Sequence, residues 1–170
     1  TIIPEGTEKI AMNALSNAEV TIPSSLKEIE PNGLVNSKIN LTSLETWLNL
    51  EIGQDGISNS GLYGNTLYLN NKLLTNVVIP DGYLTINRQL FYGQTQITKI
   101  TLPETLKEIQ ADAFNGCVNL QNVELPNSLE YIEDYAFRNT GLSNVSMPLN
   151  IKRFYADAFD DNVQINIPNI

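Results

Sequence analysis

Residues 102–125 read LPETLKEIQADAFNGCVNLQNVEL, and the spacing of their Pro, Ile and Phe recurs in the neighbouring stretches of the chain. Three columns step along the chain together, every 22 or 23 residues. The columns are Pro80, Pro103, Pro126 and Pro148; Ile86, Ile109, Ile132 and Phe154; and Phe91, Phe114, Phe137 and Phe159. Because a unit this short cannot bury its apolar side alone, we predict that the units stack into a solenoid and that each column becomes an internal ladder.

The apolar residues of each unit also predict its local structure. Leu120, Val123 and Leu125 follow a strand-like spacing with polar residues between them, and Pro126 ends the strand. Strands of successive units are expected to stack in parallel. The return path has no apolar run of helical length, so turns and short 3₁₀ or extended pieces are expected there. We therefore predict a right-handed, mainly β solenoid with little helix and about eight coils, roughly 35 to 40 Å long at about 4.8 Å per strand.

One stretch interrupts the repeat. An irregular insert of about residues 42–75 contains the only tryptophan, Trp47, and a loop rich in Gly, Ser and Asn. Two strand-like runs follow at 66–69 and 72–75, separated by Asn70-Asn71, which tolerate the positive φ of a two-residue turn. We predict a β-hairpin that protrudes from the solenoid.

Composition argues against several classes of function. The formal net charge of −9 disfavours nucleic acid and anionic membranes as partners. The chain has no histidine and a single cysteine, Cys117, so it lacks the commonest general base and any intrachain disulfide. Its apolar stretches are strand-sized, which predicts no membrane insertion. The length favours a single domain over residues 1–170.

The full repeat pattern resembles a known family. Leu-x-x-Val-x-Leu-Pro-x-x-Leu-x-x-Ile-x-x-x-Ala-Phe-x-x-Cys-x-x-Leu, most complete around residues 102–125, is similar to the BspA-like leucine-rich repeats of bacteria. The irregular part resembles that family too, through Leu44-Glu45-Thr46-Trp47 and residues 67–75. The coils at Gly33-Leu34 and Leu90-Phe91 depart from the Ala-Phe pair. The resemblance implies a surface or secreted bacterial protein that acts in adhesion or recognition, with no catalytic residues.

Strand positions that point outward are the predicted binding face, because a stacked sheet presents them as parallel rows. One row is Val78, Thr101, Glu124, Ser146 and Asn166, and its neighbour is Asn76, Lys99, Asn122, Asn144 and Gln164. These mostly small, polar groups suit hydrogen bonding to a glycan or a polar protein surface. The alternative is that they are simply the solvated side of a soluble solenoid.

Aromatic residues of the insert are the second candidate. Tyr63 and Tyr68 could contact a ligand, since exposed aromatics are favoured at recognition surfaces. The other interpretation, which we favour, is that Trp47 and Tyr68 pack the insert against the coils.

We predict a non-catalytic binding or adhesion module that recognises a host protein or glycan, with no cofactor and no metal site. The alternatives are a passive spacer or assembly segment and, less favoured, a carbohydrate-active enzyme. The acidic residues around Asp157 and Asp160 are interpreted as a solvated corner, because they lack the spacing of a calcium loop. Both ends of the chain cut a repeat, so we expect a fragment of a longer surface protein whose ends can associate.

Overall fold

The chain forms a β-solenoid of about seven turns with parallel strands and almost no helix, in a computed structural model that describes residues 1–53, 62 and 64–168. The predicted solenoid is thus confirmed, with about one turn fewer than the repeat count predicts. Its strands are β1 (Lys9–Ile10), β2 (Leu15–Ser16), β3 (Glu19–Ile22), β4 (Glu28–Ile29), β5 (Leu34–Val35), β6 (Lys38–Leu41), β7 (Glu51–Ile52), β8 (Thr66–Leu69), β9 (Lys72–Leu73), β10 (Asn76–Val78), β11 (Thr85–Ile86), β12 (Lys99–Thr101), β13 (Glu108–Ile109), β14 (Tyr131–Ile132), β15 (Asn144–Ser146), β16 (Arg153–Phe154) and β17 (Gln164–Asn166). The one helix in the described part of the chain is α1 (Leu44–Leu48), between β6 and β7.

Backbone ladders run along three sides of the coils. The first ladder contains the parallel sets β3-β6-β8, β10-β12 and β15-β17, and the second contains β1-β4-β7 and β11-β13-β14-β16. The third begins with β2-β5 and continues as single hydrogen bonds, such as Phe114 N–H to the Ala136 carbonyl at 2.8 Å. Each ladder carries one column of the sequence repeat.

The phenylalanine column fills the interior beside the third ladder. Phe91, Phe114, Phe137 and Phe159 stack in order, with ring centroids 5.4, 5.2 and 5.4 Å apart. All four are buried. The separation matches one ring per coil at the spacing of hydrogen-bonded strands, so the repeat length and the core are set by the same distance.

A left-handed residue turns the chain just before three of the four stacked phenylalanines. Gln89, Asp112 and Tyr135 stand two positions before their phenylalanines and have φ of 59°, 59° and 58°. This is the αL region, which bulky residues rarely adopt. The corner therefore takes its shape from the coil stacking on either side and not from local preference. Gly116 (φ 82°) turns the next corner, where an added Cβ would lie 3.2 Å from the Cα of Gly93.

The insert packs against the solenoid through Trp47. The indole is fully buried and its Nε1–H donates to the Leu90 carbonyl at 2.9 Å, which confirms the interpretation that Trp47 joins the insert to the coils. The hairpin is present: β8 and β9 pair antiparallel, and Asn70 and Asn71 have φ of 50° and 62°. It does not simply protrude, because β8 pairs in parallel with β6 and so belongs to the first ladder.

Besides the break at the insert, between β8 and β10, the first ladder opens at one regular coil. The repeat predicts a strand around Val123, yet residues 121–125 form no strand and no backbone hydrogen bond with any described residue. The following coil is one residue shorter, because Val145 comes eight positions after Phe137, whereas Val123 comes nine positions after Phe114. A shorter coil does not by itself open the ladder, since Val145 pairs with Ile165 only 20 residues further on. The other two ladders stay paired across the interruption.

Removal of a central ring of the stack should lower the free energy of unfolding more than removal of a terminal ring. We expect Phe114→Ala to destabilise the chain by about 3–5 kcal/mol, because it leaves a cavity between two rings. Phe159→Ala is the matched control and should be milder, since Phe159 stacks on one described ring only. Denaturant unfolding followed by circular dichroism measures both. Equal effects would contradict a stack that acts as a shared core.

Amide hydrogen exchange should report the open ladder. The Lys99 N–H donates to the Thr75 carbonyl, and alternation along a strand turns the Ile100 N–H to the opposite, unpaired side. We expect the amides of Ile100 and Asn122 to exchange about a hundredfold faster than the amide of Phe114. Similar protection at all three positions would show that the ladder is closed.

Candidate functional site: a groove on the first ladder

A groove of about 550 Å³ lies where the first ladder opens. Its volume is within the roughly 300–1,000 Å³ typical of ligand clefts. One wall is β12 and the turn after it, and the other is the stretch around residues 121–125. The lining residues are Thr98, Lys99, Ile100, Thr101, Leu102, Glu104, Asn122, Val123, Glu124, Leu125, Pro126 and Asn127.

Four residues of the predicted binding face meet in this groove. Lys99 and Thr101 come from β12, while Asn122 and Glu124 come from the opposite wall, and all four are exposed. The sequence pattern therefore selected these positions, although it placed them on a closed sheet. The open space between them is a feature of the structure that the pattern did not predict.

The other predicted positions lie on either side of the groove. Asn76 and Val78 stand beside Lys99 and Thr101 on one side, and beyond the groove Asn144 and Ser146 stand beside Gln164 and Asn166. All six are exposed. The rows are thus continuous within each strand pair and are broken at residues 121–125, so the face is two short sheets with a groove between them.

The groove has an apolar floor and a charged rim. Val123 is only partly buried, whereas its equivalents Val77 and Val145 are buried. Leu102 and Leu125 are also partly buried, whereas their equivalents Ile79 and Met147 are buried. The rim carries the exposed Lys99, Glu104 and Glu124. None of these three charges forms an ion pair or a side-chain hydrogen bond within the described part of the chain.

Elsewhere, charged side chains are paired across the coils. The Glu130 carboxylate accepts from Lys107 Nζ at 3.1 Å and from Lys152 Nζ at 2.5 Å. The hydrogen bond from Lys152, and then that from Lys107, lowers the pKa of Glu130. Near the last coils, partial burial and the neighbouring Asp157 raise the pKa of Asp134. The three charged side chains at the rim of the groove therefore differ from the ion-paired side chains around Glu130.

Tyr68 borders a second, smaller hollow on the same side of the solenoid. This hollow measures about 260 Å³ and is also lined by Lys38, Asn40 and Asn71. Tyr68 is half-buried, in contrast to the fully buried Trp47. The predicted contact Tyr63 lies outside the described residues.

Sequence reasoning did not select a cluster of tyrosines and arginines on the second ladder. The Arg153 guanidinium lies 5.2 Å from the ring centre of Tyr155 and 6.0 Å from that of Tyr131. Arg138 lies 5.7 Å from the ring centre of Tyr135. Following the outward column of the second ladder, from Glu108 to Tyr131 and Arg153, would have found the first of these contacts but not the separate pair of Arg138 and Tyr135. Because the cations already cover these rings, they are less available for stacking on a ligand.

Within residues 1–53, 62 and 64–168, no group of three His, Cys, Asp or Glu side chains is placed to hold a metal ion. No helix in the same residues is long and apolar enough to span a membrane.

Cys117 belongs to the core. The thiol is buried, its Sγ lies 3.2 Å from the Phe91 carbonyl, to which it donates, and burial raises its pKa to about 12. A catalytic thiol requires the opposite shift, since the thiolate is the nucleophile. The position supports the interpretation of a structural thiol.

We expect Cys117 to be inert in the folded chain. With a pKa of about 12, only about one thiol in ten thousand is ionised at pH 8, and the side chain is shielded as well. A chromogenic disulfide reagent should react within minutes in denaturant and hardly at all under native conditions. Rapid stoichiometric labelling of the native chain would place the thiol at the surface.

Comparison with known proteins establishes the family. The family model described as a BspA type leucine rich repeat region matches six copies over residues 1–61 and 63–170. A leucine-rich repeat protein from Bacteroides ovatus is 20% identical to this chain, with a TM-score of 0.41. The match covers 94% of this chain and 55% of the length of that protein's chain. A leucine rich cell surface protein from Faecalibacterium prausnitzii is also 20% identical, with a TM-score of 0.49, and covers 89% of this chain and 48% of its own.

This chain therefore spans about half the length of these two solved structures. A search of curated proteins finds no match. Because the repeat model covers nearly every residue, the chain belongs to the BspA type leucine-rich repeat family.

Proposed function

We propose that this chain is a non-catalytic binding or adhesion module of a bacterial cell-surface or secreted protein, and that it recognises a host protein or glycan. The groove on the first ladder is the observation that carries the proposal. It combines an apolar floor with three charges that have no partner in the described part of the chain. Such groups are available to a ligand without breaking an existing contact. Family membership supports the surface location, which the resemblance implies.

The rigidity of the scaffold supports the same role. Coils on both sides of the groove are held by the second and third ladders, through pairs such as Glu108 with Tyr131. A binding surface that is already formed loses less conformational entropy when it binds. The groove therefore does not depend on a folding step to become competent.

A carbohydrate-active enzyme is less well supported. Glu104 and Glu124 both line the groove, so two carboxylates share one concave site. Glycoside hydrolysis needs one of the pair as an acid with a raised pKa, which enzymes obtain by burial. Both side chains are exposed. They are better suited to contacting a ligand than to protonating a leaving group.

End-to-end self-association stays a prediction. Ile2 and Ile167 are exposed, at 83% and 66%, near opposite ends of the described chain. Light scattering over a wide concentration range tests it, and a strict monomer would contradict it.

Binding to an array of glycans and extracellular-matrix proteins tests the proposed function. We expect the chain to bind at least one class, and the triple variant Lys99→Ala, Asn122→Ala and Glu124→Ala to bind about tenfold or more weakly, because it removes polar contacts from both walls. Exposed substitutions of this kind leave the fold intact.

The matched control has the same three residue types changed away from the groove: Lys27→Ala, Glu51→Ala and Asn162→Ala, all at exposed positions. It should bind like the parent chain. Parent-like binding by the groove variant would place recognition elsewhere, and equal loss in both variants would show that the loss is not specific to the groove. No ligand for any form of the chain would favour a passive spacer.

A further inference from the structure

We propose that the smaller hollow beside Tyr68 binds one neutral pyranose unit of a glycan, which packs against the tyrosine ring. The lining of this hollow includes Glu19, Thr21, Lys38, Asn40, Tyr68 and Asn71. The hollow is separate from the groove, but the inference rests on the proposed role of the chain in recognition.

The sheet beneath the hollow holds Tyr68 in place. β8 pairs with β6 on one side and with β9 on the other, so Tyr68 stands on a central strand of a four-stranded sheet. Alternation along β8 turns Leu67 into the core, where it is fully buried, and turns Tyr68 outward. Among the outward residues of the first-ladder strands that the structure describes, Tyr68 is the one aromatic residue. A ring held in this way loses little freedom when a ligand binds.

Short side chains leave open space beside the tyrosine ring. Thr21, Asn40 and Tyr68 stand side by side on three paired strands. At about 4.8 Å per strand, Thr21 lies about 10 Å from Tyr68, and only short side chains cover the sheet between them. On the other side of Tyr68, the hairpin places Leu73 directly opposite. The ring therefore has the hairpin on one side and the hollow, of about 260 Å³, on the other.

Polar groups around the ring are available to a ligand. Asn40 Oδ1 accepts from the Asn71 N–H at 2.6 Å, which holds the amide in place and leaves its NH₂ group available. Within the described part of the chain, the hydroxyl groups of Thr21 and Tyr68 form no hydrogen bond. A small number of fixed polar groups beside an apolar surface is the usual means of orienting a small ligand.

This combination favours a sugar over a protein side chain. A pyranose ring has C–H groups on its faces and hydroxyl groups around its edge. The C–H groups suit the negative face of the Tyr68 ring, while the hydroxyl groups can reach the amide of Asn40 and the hydroxyl of Thr21. An apolar side chain of similar size would cover these polar groups without pairing them, which costs free energy.

The charges and the size of the hollow narrow the class of sugar. Glu19 and Lys38 lie 3.8 Å apart and are both exposed, so the two charges at the rim offset each other. An acidic sugar would meet repulsion from Glu19, whereas a neutral sugar meets no such penalty. The volume is slightly below the roughly 300–1,000 Å³ of typical ligand clefts, which suits a single sugar unit and not a whole oligosaccharide.

Nuclear magnetic resonance with simple glycosides tests the inference directly. The neutral probes are the methyl glycosides of glucose, galactose and mannose, and the methyl glycoside of sialic acid is the acidic comparison. We expect at least one neutral probe to shift the ring resonances of Tyr68 saturably, with a dissociation constant in the millimolar range. The acidic probe should bind more weakly. Tyr68→Phe identifies the Tyr68 resonances, because it removes them from the spectrum of a chain labelled on tyrosine.

Substitutions at Tyr68 separate the ring from its hydroxyl. Tyr68→Ala should weaken binding of the neutral probe about tenfold or more, because the sugar loses its packing surface, whereas Tyr68→Phe should stay within about threefold of the parent. Tyr155→Ala is the matched control, since Tyr155 is an exposed tyrosine on the second ladder, and it should bind like the parent chain.

Two results would overturn the inference: no neutral probe shifts the Tyr68 ring, or Tyr68→Ala binds as tightly as the parent. If Tyr68→Ala fails to fold, the shifts in the parent chain decide, together with Thr21→Val. That variant keeps the size of the side chain, removes the hydroxyl, and should weaken binding about threefold or more.

The outcomes separate this inference from the proposed function. A ligand that is lost in the groove variant, with no shift at Tyr68 from any neutral probe, would overturn the sugar site and leave the proposed function standing. A protein ligand that is lost in Tyr68→Ala, with no neutral sugar bound, would also overturn the sugar site alone. Absence of any ligand, the glycosides included, would overturn both.

Discussion

Backbone pairing between successive coils is the interaction on which the rest of the structure depends. It holds coil-to-coil distance near the spacing of hydrogen-bonded strands, and this distance also brings Phe91, Phe114 and Phe137 into ring contact. The same pairing holds residues such as Tyr135 in a left-handed conformation that a bulky side chain rarely adopts. Since three ladders share the task, one can open at a single coil while the other two keep the coils in register.

The repeat columns made most of this fold predictable. A residue type that returns every 22 or 23 positions has to meet its own copy in the next coil, so the phenylalanine stack follows from spacing alone. The hairpin followed from Asn70-Asn71, which supply the two positive φ values of its turn. In each case a local property of the residues decides the structure.

The opening of the first ladder could not be predicted in the same way. Val123 occupies the same place in its repeat as Ile100 and Val145, and nothing in its immediate neighbours distinguishes it. The length of the next coil does not distinguish it either, since Val145 pairs with Ile165 across a coil that is shorter still. Likewise, the sequence placed Lys99 and Glu124 on the outward face but gave no sign that space lies between them.

The unpaired backbone of the groove also limits how tightly a ligand can bind. A ligand that pairs with these N–H and C=O groups gives up its own hydrogen bonds with water and gains only about 1 kcal/mol from each new one. Part of this gain is lost in ordering a flexible segment. A single groove of this kind therefore suits weak, reversible contacts. Firm attachment would come from several modules that engage one surface together, because linked weak sites gain avidity without any new contact. A repeat protein with rigid coils is well suited to that strategy, since it holds its sites at fixed positions.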